Sequence, residues 1–179
     1  MKQCNDNPQP KQFNIRLNKA ELIYDIETAC YAIGHVMPSE NNPHAAHTVQ
    51  DVAQQAYANR TERIIDAVFY SILQDLAPWT KKEAPNNTTT DNLPPQTDNY
   101  VVPLTVPNNY NLAQLRFLTS NIHEYIVAQA VAQWMLTAHP DKNNYTLWQN
   151  RADTLLQNIK NSLHTPFDRS KTRIRPHWY

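Results

Sequence analysis

The apolar residues of this 179-residue chain recur with the helical period in four stretches that contain no proline. Within residues 11–37, 44–77, 108–139 and 141–165, apolar side chains are spaced three or four positions apart, which is typical of amphipathic helices. Because proline in a helix interior costs about 3 kcal/mol, long helices can form only in such windows. The pattern predicts an all-α bundle of four main helices, at about 18–33, 48–77, 111–139 and 142–164.

Capping signals refine the first two helices. Asn18 is a candidate N-cap, and Gly34, the single glycine of the chain, suits the position just past a helix end. Thr48 is a candidate cap for the second helix, which the pattern continues as one rod of about 45 Å up to Pro78. Rods of that length are typical of bundles and elongated assemblies.

The third helix is apolar around much of its circumference between Ile122 and Leu136, so we expect it to be central. Asn109 and Asn111 are its candidate caps. The fourth helix follows after a connection of only a few residues around Pro140. A connection that short predicts that the third and fourth helices are antiparallel neighbours.

The segment 78–110 separates the second and third helices and contains six prolines. Its apolar stretch 100–106 alternates like a strand, but Pro103 confines it to an edge strand, a short hairpin or an extended arm. Apolar loops of this length are typical of binding elements. The predicted organisation is an N-terminal arm of residues 1–17, a helical domain of residues 18–165 with this loop inserted, and a C-terminal arm of residues 166–179.

Composition excludes several classes of protein. One glycine among 179 residues cannot build a phosphate-binding loop or a dinucleotide fingerprint. Sixteen basic and sixteen acidic side chains cancel, and 20 Asn with 13 Gln carry much of the polarity, which favours self-association. No stretch approaches the roughly 20 apolar residues of a membrane span. The two cysteines form no disulfide framework, so we expect synthesis in a reducing cytoplasm.

Candidate catalytic and metal-binding residues are few. His44 and His47 stand three positions apart with no carboxylate beside them, which favours exposed loop histidines over a zinc site. His123 and Glu124 resemble half of a zinc-protease motif, but the second histidine is missing, which favours a buried or interface role for His123. We therefore predict no enzyme, no metal and no cofactor.

The C-terminal stretch TPFDRSKTRIRPHWY carries four basic side chains against one acidic one, a net charge of +3. The rest of the chain therefore has a net charge of −3. The formal net charge is zero, but the positive charge is concentrated in the C-terminal stretch. We predict that this arm docks on a partner protein; a solvated terminus and nucleic-acid contact through arginine and aromatic stacking are the alternatives. The predicted partner-binding side chains are Arg169, Lys171, Arg173, Arg175, Trp178 and Tyr179 in the arm and Tyr100, Val102 and Leu104 in the loop.

The order of segments between residues 17 and 176 carries a resemblance. The predicted long helix RTERIIDAVFYSILQDL ends before APWT, and the extended segment YVVPLTVP follows. After it come the two helical segments IHEYIVAQAVAQW and YTLWQNRADTLLQNI and the basic segment SKTRIRP. This layout resembles small helical virion proteins of tailed phages and prophages of Bacteroidetes. It is similar in plan to the head-to-tail adaptor, or connector-ring, proteins.

The resemblance implies a structural role at the head–tail junction of a virion, after synthesis in the bacterial host cytoplasm. Copies would form a ring, usually dodecameric, that docks on the portal protein, extends the DNA channel and receives other neck or tail proteins, with DNA close by and no membrane. The chain is longer than the smallest adaptors through its long loop, which leaves an adaptor, another neck ring or a tail-completion protein open. The alternative function is a nucleic-acid-binding helical module that acts through the basic C-terminal arm.

Overall fold

In the computed structural model, residues 10–36, 44–80, 98–108, 110–138 and 142–164 are described. They form five α-helices and one two-stranded antiparallel sheet. The prediction of a mostly helical fold is confirmed, but the chain is not a pure all-α bundle of four helices because a sheet packs on the helices. The elements in chain order are β1 (Lys11–Asn18), α1 (Lys19–Val36), α2 (Ala45–Gln50), α3 (Ala58–Asp75), β2 (Asn99–Val106), α4 (Gln114–Ala138) and α5 (Lys142–His164).

The sheet joins the start of the chain to the predicted loop. β1 pairs with β2 over eight residues, from Lys11 opposite Val106 to Asn18 opposite Asn99. The strand allowed for residues 100–106 is confirmed, and Pro103 sits in it without breaking the ladder. The N–H of Thr105 donates to the carbonyl of Trp79, away from β1. Pro103, two positions earlier, therefore faces the same outer edge, where its missing N–H interrupts no bond between the strands.

Helix α1 extends past the predicted end at residue 33. Its start is as predicted, since the Asn18 side chain accepts a hydrogen bond from the Ala20 N–H at 2.8 Å. Gly34, however, is a buried residue inside the helix and does not end it. A Cβ at this position would lie 2.6 Å from Gln50 Cγ and 2.8 Å from the carbonyl oxygen of Ala46 in α2. The prediction of a helix stop is wrong, because the glycine is required by a close helix contact.

The single helix predicted for residues 48–77 is also wrong. α2 ends at Gln50, a 3-10 turn covers Asp51–Ala53, Gln54 is extended with a ψ of 148°, and α3 begins at Ala58. Two carbonyls of the interrupted stretch bond to donors from elsewhere: Trp134 Nε1 donates to Val49 at 3.1 Å, and the Thr61 hydroxyl donates to Val52 at 2.5 Å. Tertiary partners thus satisfy backbone groups that a continuous helix would have satisfied internally.

Helix α4 is the centre of the molecule, as predicted, with twelve of its residues buried and with packing against α1, α2, α3 and α5. The Asn111 side chain accepts a hydrogen bond from the Ala113 N–H at 2.9 Å in the turn that leads into α4. α5 has the predicted bounds. Arg151 of α5 bonds to Glu124 of α4 at 2.6 Å, and Ser162, near the far end of α5, lies 3.4 Å from the Tyr110 hydroxyl before α4. The two helices are therefore antiparallel neighbours.

Part of the predicted organisation falls on residues that the structure does not describe. Residues 81–97 of the loop and residues 165–179, which include the predicted basic arm, lie outside the described residues. Among the helices that the structure describes, none is long and apolar enough to cross a membrane.

Candidate functional site

The three loop residues predicted to bind a partner are core residues, which corrects that prediction. Tyr100, Val102 and Leu104 point inward from β2 and are at most 4% exposed. The Tyr100 ring packs on Phe69 of α3 with a centroid distance of 4.6 Å. Burial, with Asp66 close by, raises the pKa of the Tyr100 hydroxyl, so that it remains neutral. The apolar side chains of these three strand residues therefore stabilise the fold of the chain itself.

The other six predicted partner-binding residues lie outside the described part of the chain. They are Arg169, Lys171, Arg173, Arg175, Trp178 and Tyr179. Their docking role stays a prediction.

His123 occupies a half-buried position with a specific partner. Its Nε2 lies 2.8 Å from Asp25 Oδ2, so that the pair ties α4 to α1. Ser120, one turn earlier on α4, lines the same open groove. Within the described ranges no group of three or more His, Cys, Asp or Glu could hold a metal ion.

The groove beside this pair has a volume of about 420 Å³ and opens to solvent. Arg16 of β1, Glu21 of α1 and Arg116 of α4 line it together with His123. Neither arginine forms an ion pair with any residue that the structure describes. The full lining is Arg16, Leu17, Asn18, Glu21, Leu115, Arg116, Thr119, Ser120 and His123.

The solvent side of α1 presents two aromatic rings on one helix face. Tyr24 is 66% exposed and Tyr31 is 58% exposed, and at seven residues apart they lie two turns from each other on the same side. The core side of the helix is formed by Leu22, Ile26 and Cys30, all at most 1% exposed. We call the solvent side the α1 face; its members are Glu21, Tyr24, Glu27, Thr28 and Tyr31.

The α1 face is also acidic. Residues 20–34 contain three carboxylates and no lysine or arginine. Asp25 is engaged by His123, whereas Glu21 and Glu27 form no ion pair or hydrogen bond with any residue in the described ranges. Exposed aromatic rings with unpaired charges around them are typical of protein-binding surfaces, in which Tyr is enriched.

The α1 face was not predicted as a binding surface from the sequence, although the spacing that defines it can be found there. Tyr24 and Tyr31 are seven positions apart and fall opposite the apolar stripe that predicted the helix. Comparisons of the chain with protein-family profiles, with curated proteins and with solved structures found no significant match. The geometry of the chain itself is therefore the basis for a functional proposal.

Proposed function

We propose that this protein is a structural subunit of a multi-subunit assembly and that it contacts its neighbours through the α1 face. The observation that carries the proposal is the pair of tyrosines, each more than half exposed, on a helix face with unpaired carboxylates. Large aromatic rings left in solvent cost free energy that a partner surface recovers by covering them. A formal net charge of zero adds no long-range repulsion between copies.

The specific assembly that we propose is the neck of a tailed phage, with this chain as a head-to-tail adaptor or neck-ring subunit. It is supported by the order of segments: the α3 helix, the extended β2 segment, the central α4 helix, α5 and then a basic arm. In this role the chain forms a homo-oligomeric ring, binds the portal protein and extends the DNA channel toward the tail. The proposal assigns no catalytic step to the chain.

Native mass measurement of the full chain, alone and mixed with the candidate portal protein, tests the proposal. We expect either a closed oligomer or a monomer that joins the portal. The double variant Tyr24→Ser/Tyr31→Ser should weaken association by at least about tenfold, because exposed aromatic anchors carry much of an interface's binding energy. Tyr70→Ser is the matched control, since Tyr70 is 62% exposed on α3, away from the α1 face.

The outcome that overturns the proposal is a chain that stays monomeric alone and forms no complex with the portal protein. Association of the double variant that equals that of the wild type, at equal thermal stability, would remove the α1 face from the interface. Equal losses of association in the double variant and in Tyr70→Ser would likewise remove the α1 face from the interface.

A second candidate function is nucleic-acid binding, favoured by the two groove arginines that lack a partner among the described residues. Arg16 and Arg116 would contact phosphates together with the basic C-terminal arm. This function predicts binding of a DNA duplex that weakens steeply with salt and is reduced by Arg173→Ala with Arg175→Ala. Arg16→Ala with Arg116→Ala should reduce it as well. Binding that is absent at low salt would dismiss this candidate.

A further inference from the structure

We propose that the α1 face of one copy receives the basic C-terminal arm, residues 166–179, of a neighbouring copy. The inference rests on the proposed function, because it names the partner of the surface that the assembly uses. The proposed occupant of the α1 face is therefore a segment of this same chain in a second molecule.

Charge complementarity is the first argument. Residues 20–34 carry a net charge of −3 and residues 165–179 a net charge of +3. On α1, Glu21 and Glu27 are the carboxylates left without an ion pair among the described residues, and both are exposed. Opposite charges brought together at an interface fix which surfaces pair and in which orientation.

Ring chemistry is the second argument. Tyr24 and Tyr31 offer two exposed faces to a segment that contains arginines and a His-Trp-Tyr run. An arginine guanidinium stacks on a tyrosine face, and aromatic pairs add to the contact beyond the area they bury. An acidic face without rings would bind any cation weakly, whereas the tyrosines on this one favour an arginine-rich and aromatic segment.

The dimensions also agree. Glu21 and Tyr31 are ten residues apart, which is about 15 Å along the helix at about 1.5 Å per residue. Residues 171–175 of the arm span about 13 Å when extended, at about 3.3 Å per residue. Three basic side chains at alternate positions of the arm therefore cover the distance over which the α1 face places its carboxylates and rings.

The position of the end of α5 favours a neighbouring copy. His164, the last residue of α5, packs its ring on Trp79, and Ser162 contacts Tyr110, which stacks on Phe13. α5 therefore ends near the Phe13 end of β1, while α1 begins at the opposite end, about 17 Å away along the strand. Docking within one molecule would use the first residues of the arm to cross that distance, whereas an adjacent copy can meet the arm directly.

A charge swap between two variants tests the inference. One variant carries Glu21→Lys and Glu27→Lys on the α1 face, and the other carries Arg173→Glu and Arg175→Glu in the arm. Each variant alone should associate at least about tenfold more weakly than the wild type, because like charges then face each other. An equimolar mixture should recover association, since each arm then finds an α1 face of opposite charge on the other variant.

Controls separate this result from unfolding and from failure of the assembly itself. Asp153→Lys reverses an exposed carboxylate on α5 and should leave association unchanged, and thermal unfolding should show all variants folded. A wild type that neither oligomerises nor joins the portal overturns the proposed function. A wild type that assembles, with both variants assembling equally well alone, overturns only the arm inference. Variants that lose association and do not recover it when mixed overturn the assignment to a neighbouring copy.

Discussion

Gly34 shows how one residue sets the distance between two helices. The chain contains no other glycine, and this one lies where α1 crosses α2, with the backbone of Ala46 in the place that a side chain would occupy. Gly34 is inside a helix, where alanine would be favoured by about 1 kcal/mol on propensity alone. Its retention is therefore explained by the close approach of α2 and not by backbone freedom.

Gly34→Ala should destabilise the protein by about 1 to 2 kcal/mol, because overpacking outweighs the gain in helix propensity. Urea unfolding measures the change. The double variant Gly34→Ala/Gln50→Ala should still be less stable than Gln50→Ala, since removing the Gln50 side chain leaves the contact with the Ala46 carbonyl at 2.8 Å. A Gly34→Ala protein that is more stable than the wild type would contradict the close-packing explanation.

Cys30 is a buried thiol whose titration affects stability at high pH. Burial raises the pKa of the Cys30 thiol from its ordinary value of 9.0 to about 12. The folded chain keeps this proton to about pH 12 while the unfolded chain releases it above about pH 9, so the free energy of unfolding falls as pH rises between them and is unaffected below.

In a Cys4→Ser background, urea unfolding at a series of pH values tests this effect. The protein with Cys30 should lose stability more steeply than Cys30→Ala between about pH 9 and about pH 11, by at most about 1.4 kcal/mol per pH unit. The raised pKa of Tyr100 acts in both proteins, so the comparison isolates the thiol. Parallel pH profiles of the two proteins would show that Cys30 does not titrate as described.

The break between α2 and α3 is stabilised by side chains that point into it. The Thr61 hydroxyl, near the start of α3, donates to the Val52 carbonyl in a buried site. Tyr57, just before α3, stacks edge-on against Trp134 of α4 with ring centroids 5.5 Å apart. These contacts fasten the turn between the two helices to α3 and α4, while α2 itself packs on α1 and α4 and buries Val49.

Thr61→Val keeps the shape of the side chain and removes the hydroxyl, and it should destabilise the protein by about 1 to 3 kcal/mol because the Val52 carbonyl loses a buried donor. Thr119→Val is the control. Its hydroxyl donates to the Leu115 carbonyl within α4, at a part-buried site, so we expect a change within about 0.5 kcal/mol. Equal effects of both substitutions in thermal and urea unfolding would mean that the Val52 contact contributes little.

At the scale of elements, prediction succeeds where a segment's own pattern decides its structure. α5 has the predicted bounds because prolines flank it and its apolar face is continuous. The segment 48–77 has a similar pattern, yet it breaks because Trp134, more than 80 residues away, donates to Val49. β1 was not predicted: it falls almost wholly within the predicted N-terminal arm, where Phe13, Ile15 and Leu17 alternate as in a strand. Its pairing partner is about 90 residues distant, and short alternating stretches indicate a strand only weakly.

The sheet decides what the whole molecule can offer a partner. Within β2, Tyr100, Val102 and Leu104 are buried in the core, although as isolated residues of a proline-rich loop they indicate a binding element. The helical period of α1, by contrast, already places Tyr24 and Tyr31 opposite its apolar stripe. Only the fold shows that both rings remain more than half exposed, because tertiary packing decides whether another element covers them.

The inward face of β2 should be as important to the stability of the whole molecule as the helices are. Leu104→Ala removes a side chain that is 1% exposed and should cost about 2 to 5 kcal/mol. Val101→Ala, on the outward face of the same strand at 41% exposure, should change stability by less than about 0.5 kcal/mol. Urea unfolding should be followed by far-UV circular dichroism, which reports the helices, and by the combined fluorescence of the four tryptophans, of which Trp134 lies in the core on α4. If strands and helices share one core, Leu104→Ala shifts both transitions together. A helical transition that stays at its wild-type midpoint would instead mean that β2 is a peripheral arm, and its apolar residues would again be available to a partner.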